Sequence, residues 1–177
     1  LNSNLLSGPI PSELYNLINL ESLRLHMNQL SDSIYSEIGN LSSLYDLWLY
    51  DNQLFGTVPA ELGELTNLKY LYLYDNQFID LPDLSPIATL TELKIQNNQF
   101  TFEDIEKNIL VPTFSYSPQD SVGEKQDTTI TPGSNLLLSV FAGGTANKYQ
   151  WTKDGVDISG ANSSSYTISS VESADEG

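Results

Sequence analysis

Five asparagines, Asn4, Asn28, Asn52, Asn76 and Asn98, recur every 24 residues, with the last interval shortened to 22. Each sits in the same leucine frame. From the second copy the frame reads Leu20, Leu23, Leu25, Asn28, Leu30, Ile34, Ile38 and Leu41, and it returns as Leu44, Leu47, Leu49, Asn52, Leu54, Val58, Leu62 and Leu65. A third copy runs Leu68, Leu71, Leu73, Asn76, Phe78, and a fourth runs Leu90, Leu93, Ile95, Asn98, Phe100. Self-similarity at a fixed period of this length means a stack of units, none of which buries its apolar face alone.

Alternation at period two puts Leu23 and Leu25 on one side of a short strand and Arg24 and His26 on the other. The chain must turn sharply after each strand, which leaves backbone N–H and C=O groups inside the coil. Unpaired, each would cost about 1–3 kcal/mol. An inward asparagine amide offers two donors and an acceptor to satisfy them. The asparagine column is therefore read as structural, and it serves as a ruler for which residues point outward.

The frame resembles the leucine-rich repeat consensus LxxLxLxxNxL, in register across about four copies. Gly8-Pro9-Ile10-Pro11 and Gly56-Thr57-Val58-Pro59 resemble the G-x-I-P continuation of the plant-type subclass. The resemblance implies an α/β solenoid with short parallel strands on a concave face and an asparagine ladder along its inside.

The repeats stop after Phe100. Thr101, followed by Asp104, has the spacing of a capping box, so residues 101–110 are expected to form a helical cap over the last repeat. The solenoid is thus expected to span 1–110. Residues 111–118, with Pro112 and Pro118 among Ser and Thr, read as an extended linker. From residue 119 the pattern changes to alternation and turns: Leu136, Leu138 and Val140, the Gly143-Gly144 turn, then Trp151, Lys153-Asp154-Gly155 and Tyr166-Thr167-Ile168. Residues 119–177 resemble an immunoglobulin-like domain, with strand B at 136–140, Trp151 on strand C, strand E at 166–168 and an E–F corner at Asp175-Glu176-Gly177. The resemblance implies an incomplete all-β sandwich, truncated before strands F and G, with Val140 at the place of the first core cysteine. Such a piece is expected to be marginal alone.

Composition narrows the function classes. The formal net charge is −16 with only seven Lys plus Arg, which disfavours phosphate backbones and nucleic acid as partners. There is no cysteine, so disulfides and thiol chemistry are absent, and no apolar run approaches the roughly 18 residues of a membrane span. The chain opens at Leu1 inside a repeat, and is expected to be a fragment of a larger secreted or cell-surface protein. The pairing of repeat and sandwich looks like secreted multidomain proteins of bacteria.

Outward strand positions line up in columns from repeat to repeat. The columns are Ser22, Asp46, Tyr70, Glu92; then Arg24, Trp48, Tyr72, Lys94; then His26, Tyr50, Tyr74, Gln96; then Met27, Asp51, Asp75, Asn97. The expected site is therefore Trp48, Tyr50, Tyr70, Tyr72 and Tyr74, with His26, Asp51 and Asp75 beside them. Aromatic anchors with acidic neighbours suit a protein or peptide carrying basic and apolar groups. The same rings suit sugar stacking, and equally they are residues that pack on cross-strand neighbours in any sheet. Asp51 and Asp75 share a column, where a cation such as calcium would be favoured if the carboxylates met, although both pointing into water is the simpler reading.

No catalytic set emerges. His26, the sole histidine, is expected on the surface; Asp46, one strand away, could orient its ring, but no buried or Gly-elbow serine accompanies them. No phosphate-cradling glycine loop, metal set or cofactor motif occurs. Asn40-Leu41-Ser42 and Asn162-Ser163-Ser164 match the glycosylation sequon. The expectation is a non-catalytic protein-binding or adhesion module, extracellular or at the cell surface. The alternatives are a carbohydrate-binding module, a structural spacer and a receptor ectodomain fragment.

Overall fold

The computed structural model describes residues 1–119, 129–140 and 148–175. The chain forms two compact units, Leu1–Val122 and Gly123–Gly177.

In the first unit the strands are β1 (Ser7–Gly8), β2 (Ser22–Arg24), β3 (Gln29–Asp32), β4 (Asp46–Trp48), β5 (Gln53–Thr57), β6 (Tyr70–Tyr72), β7 (Gln77–Asp80), β8 (Glu92–Lys94) and β9 (Thr113–Ser115). They build two sheets, one ordered β2-β4-β6-β8-β9 and the other β1-β3-β5-β7. All pairs are parallel. The 24-residue period sets the register: Leu23 pairs with Leu47, Leu47 with Leu71, and Leu71 with Leu93 despite the shorter last interval. Between the sheets lies the leucine core. Leu44, Leu47, Leu49, Leu54, Leu68, Leu71 and Leu73 are completely buried. Each such side chain removes enough apolar surface to contribute about 1.5–3 kcal/mol, before the cost of ordering the chain.

The ladder has the geometry expected of it from Asn28 to Asn98. The Asn76 carbonyl accepts from Leu54 N at 3.1 Å, and its amide donates to Leu49 O at 3.0 Å, Leu73 O at 3.1 Å and Tyr74 O at 3.2 Å. Asn52 and Asn98 repeat these contacts one rung to each side. Asn4 differs: it is exposed and donates only locally, to Leu1 O and Asn2 O. The residue before each ladder asparagine is left-handed: Ser3, Met27, Asp51, Asp75 and Asn97 all have φ between 52° and 57°. That conformation turns the chain out of one sheet and toward the next.

Two expectations are corrected here. The returns are 3-10 turns, Ser12–Asn16, Ser36–Asn40 and Ala60–Glu64, so the α/β description holds only at the cap. Pro11 and Pro59 precede two of them, and the repeat is too short for a full helix plus two strands. Residues 111–118 are no linker. Thr113–Ser115 pairs with β8 as a fifth strand, Val111 is buried, and Phe114 packs on the core. Gln119 then adds a rung: its amide donates to Ile95 O and Tyr116 O, and its carbonyl accepts from Phe100 N at 3.2 Å.

The capping helix α1 (Phe102–Asn108) forms where the Thr101–Asp104 spacing places it. Thr101 N and Oγ1 both donate to Asp104 Oδ2, at 2.9 and 2.8 Å. Buried Asn108 accepts from Leu84 N at 2.9 Å and donates to Pro82 O and Asp104 O, closing the loop after β7.

In the second unit β10 (Leu136–Ser139) pairs antiparallel with β13 (Ser165–Ile168), while β11 (Thr152–Lys153) and β12 (Val156–Asp157) form a hairpin. Asp154 and Gly155, at φ 52° and 77°, make its two-residue turn. Trp151 lies 6.2 Å from the Tyr166 ring, and its Nε1 donates to Ser163 O at 2.8 Å. Among the described residues of this unit the two-stranded sheets β10-β13 and β11-β12 stand in place of the expected sandwich. Val140, expected in a core, is 43% exposed, because β10 ends at Ser139 and no described layer covers it. The Gly143-Gly144 turn and Glu176-Gly177 lie outside the described residues.

Candidate functional site

The outer face of the five-stranded sheet carries the aromatic residues in the columns read from the repeat. Asp46 pairs with Tyr70 and Trp48 with Tyr72 across β4 and β6. Parallel strands lie about 4.7–4.9 Å apart, which is close to the distance at which flat rings stack. In-register repetition therefore turns each column into a stack. Trp48 lies on Tyr72 at 5.1 Å and 22°, Tyr50 on Tyr74 at 4.3 Å and 10°, and His26 on Tyr50 at 4.4 Å and 15°.

The Trp48–Tyr72 stack is closed at both ends by cations. The Arg24 guanidinium sits 3.9 Å above Trp48, and the Lys94 ammonium 4.5 Å from the Tyr72 centroid. Each cation is held by a carboxylate from the preceding column. Asp46 accepts from Arg24 Nε at 3.0 Å and Nη2 at 2.9 Å, and from Ser22 Oγ at 2.8 Å. Glu92 accepts the Tyr72 hydroxyl at 2.8 Å and pairs with Lys94 at 2.8 Å. Lys94, and then Tyr72, hold the Glu92 carboxyl below the usual carboxylate range. Burial, and then donation to Glu92, push the Tyr72 hydroxyl well above the ordinary phenol range. Burial and neighbouring Tyr50 push Tyr74 up to about 12. Both rings stay neutral hydrogen-bonding groups at any physiological pH.

His26 is not the surface residue expected. It is 7% exposed, covered by Tyr50 and by Trp48, whose ring lies 5.5 Å away. Burial, and then the Arg24 charge, lower its pKa. Asp46, the acid that would have oriented it, is buried and committed to Arg24 and Ser22. His26 Nδ1 and Trp48 Nε1 are buried without a hydrogen-bond partner among the described residues, as is Gln96 Oε1. Trp48, Tyr50, Tyr70, Tyr72 and Tyr74 are all half-buried, since each ring shields the next.

Asp51 and Asp75 occupy the left-handed positions that end the strands. Asp and Asn tolerate that conformation better than most residues, which gives their side-chain type a backbone cause. Asp75 Oδ1 accepts from the Asn97 amide. No group of three or more His, Cys, Asp or Glu converges among the described residues. A cleft of about 430 Å³ beside the first repeat is lined by Leu1, Leu6, Pro9, Leu14, Leu17 and Leu30, the apolar end of the leucine stack. Two features escaped the sequence reading: the Gln119 rung, which lacks the leucine frame, and the contacts of the column Glu21, Tyr45, Lys69, Thr91 at the strand starts. The 24-residue register alone was enough to find the second.

The Leucine Rich Repeat family profile matches residues 19–41 and 67–87. Among solved structures the chain is similar to the PEPR1–AtPEP1 structure, at 45% identity and TM-score 0.54, over 56% of this chain and 14% of that one. It is similar to the Arabidopsis receptor kinase HAESA, solved with the peptide hormone IDA and the co-receptor SERK1, at 28% identity and TM-score 0.57, over 64% of this chain and 20% of that one. The ectodomain of the receptor kinase SOBIR1 from Arabidopsis thaliana aligns at 25% identity and TM-score 0.57, over 65% of this chain and 64% of that one. The chain thus spans less than two thirds of each of these structures. No curated protein sequence matches it. Two segments therefore match as leucine-rich repeats, and the stack that contains them has the fold of plant leucine-rich repeat receptor ectodomains.

Proposed function

We propose that the outer face of the five-stranded sheet is a non-catalytic protein-binding surface of an extracellular or cell-surface protein, with Trp48, Tyr50, Tyr70, Tyr72 and Tyr74 as its centre. The observation that carries this reading is the pair of ordered ring stacks. The rings are fixed by the strand pitch and clamped by Arg24–Asp46 and Lys94–Glu92, so little side-chain entropy is lost when a partner docks. A peptide is the favoured ligand. It agrees with the peptide hormone and co-receptor in the HAESA structure, and with Asp51 and Asp75 at the margin, where basic groups of a peptide would sit. His26 contributes a wall of the surface and no proton chemistry.

Sugar stacking is less well served. It needs an open ring face, and the faces of Trp48 and Tyr72 are taken by each other and by Arg24 and Lys94. The half-exposed rings leave part of their edges open, which suits the side chains of a peptide. For the second unit the reading is an immunoglobulin-like spacer or display domain, supported by the β10–β13 pairing and the Trp151–Tyr166 contact.

The test is a selection of peptides from a random display library on the whole chain. Binding should fall at least tenfold in Asp51→Lys/Asp75→Lys, and remain in Glu13→Lys/Glu37→Lys, which changes the same charge on the 3-10 side. Equal loss in both pairs would reduce the effect to bulk charge, and loss only in the second pair would move the site off this sheet.

A further inference from the structure

The first unit has four basic side chains, Arg24, Lys69, Lys94 and Lys107. Three of them are spent on carboxylates: Arg24 on Asp46, Lys94 on Glu92 and Lys107 on Glu103. Lys69 has no carboxylate within ion-pair reach among the described residues. Its ammonium lies instead between two phenols, 5.6 Å from the Tyr45 ring centroid and 5.4 Å from that of Tyr70. The two rings meet edge to face at 5.4 Å and 76°. Tyr45 is 42% exposed, so the group opens to solvent.

The backbone fixes this cluster. Tyr45 O accepts both Lys69 N and Tyr70 N, at 2.9 and 3.3 Å, and Lys69 O accepts Thr91 N and Glu92 N, at 3.0 and 3.1 Å. Each pair of amides locks one repeat to the next just before the strands begin. Tyr45 and Lys69 therefore stand side by side at the strand-start margin, with Tyr70 as the first outward residue of β6. Asp46 and Glu92, the carboxylates that begin β4 and β8 on either side of Tyr70, already hold Arg24 and Lys94. An ammonium with two rotatable hydroxyls beside it, open to water and without a carboxylate in ion-pair contact, presents donors to an incoming acidic group. Donation from Tyr70 and the proximity of Lys69 lower the Tyr45 hydroxyl from the ordinary phenol range, which makes it a stronger donor.

The geometry points to Lys69, Tyr45 and Tyr70 as a carboxylate-accepting subsite at the margin of the sheet, taking an acidic group of a peptide ligand. It rests on the reading of this sheet face as a protein-binding surface, and it names the end of that face where negative charge is accepted. In a chain of net charge −16, such a site also orients a ligand: the excess of carboxylates disfavours an acidic group over most of the surface, and Lys69 favours it here.

The experiment is a titration of the whole chain, followed by backbone amide chemical shifts at constant ionic strength. The probes are N-acetylglycine, which carries a terminal carboxylate; N-acetylaspartate α-methylamide, which carries a side-chain carboxylate; and N-acetylglycinamide, which carries none. Saturable shifts at Tyr45, Lys69 and Tyr70 with either acid but not with the amide are expected, and the tighter acid identifies the kind of carboxylate. Lys69→Met should weaken binding at least tenfold, and Tyr45→Phe a few-fold, with the amide spectrum elsewhere unchanged to show an intact fold. Non-saturating shifts, or equal binding by wild type and Lys69→Met, overturn the subsite. Display-selected peptides that still depend on Asp51 and Asp75 but ignore Lys69→Met would overturn the subsite alone and leave the binding face standing.

Discussion

Asn76 and Asn4 stand at equivalent places in the repeat, yet the side chain of one is buried with four hydrogen bonds to the turns around it and that of the other is exposed and donates only to Leu1 O and Asn2 O. Asn76→Ala leaves Leu54 N and several carbonyls unpaired inside the coil and should cost about 3 kcal/mol or more in urea unfolding. Asn4→Ala should stay within about 0.5 kcal/mol, and equal costs for the two would show that the ladder carries no burial-dependent load. His26 gives a pH signature of the same origin. Burial lowers its folded pKa below the ordinary 6.5, so the unfolded chain binds the proton first. Its contribution to stability is complete above that value and is lost as pH falls from there through the folded pKa. Asp80, raised by burial and by Asp104, works in the opposite sense: its contribution is present at low pH and is lost as pH rises through its folded pKa. Thermal unfolding at about pH 7, 6 and 5 should therefore fall more steeply in wild type than in His26→Phe. Parallel profiles would mean that the imidazole is as easily protonated folded as unfolded.

The ring stacks exist because the strand spacing is close to the centroid separation of offset-stacked rings, so their energetics belong to the sheet and not to single residues. A double-mutant cycle on Arg24→Ala and Trp48→Ala should give a favourable coupling, the sign expected for a cation over an indole. Additive costs would leave the guanidinium to Asp46 alone. At the far end, Asn108→Ala removes the acceptor for Leu84 N and should cost about 2 kcal/mol. Amide exchange should quicken around Leu81 and Leu84 and stay unchanged around Leu25, since each repeat feels only its neighbours. Uniform quickening would make the unit one cooperative block. Strands β2, β4, β6 and β8 and the cap were legible in sequence because a 24-residue period and the Thr101–Asp104 spacing repeat or pair residues at fixed offsets, whereas the second sheet β1-β3-β5-β7 has no alternation of its own to announce it. β9 and Gln119 were not, because Pro112, Phe114 and Tyr116 break the leucine frame while the backbone keeps its register with β8.

For the whole molecule, periodicity told which side chains face outward but not what those side chains touch. Burial of His26, the Arg24–Asp46 clip and the Lys69–Tyr45 pair all depend on contacts between columns, and single-column reading has no access to these. The second unit was less legible still, since an alternating pattern such as Leu136 to Val140 specifies a face without specifying what covers it. Charge is the one property of the whole chain that sequence supplies outright, and it has a consequence for the fold. With a net charge of −16, like charges crowd in the folded state more than in the expanded chain, and self-repulsion destabilises the native state. Sodium chloride at about 0.3 M shortens the screening length to about 6 Å and weakens that repulsion, while the clipped pairs Arg24–Asp46 and Lys94–Glu92 lose less. The melting temperature should therefore rise by a few degrees between about 0.02 and 0.3 M salt. Calcium chloride at matched ionic strength separates general screening from a site at Asp51 and Asp75. Equal melting temperatures leave those carboxylates as turn residues in water, whereas an additional calcium-specific rise that Asp51→Asn abolishes would restore a cation to that column. A fall in melting temperature with salt would mean that attractive pairs outweigh the net repulsion, and that the excess of acids stabilises the unit instead of straining it.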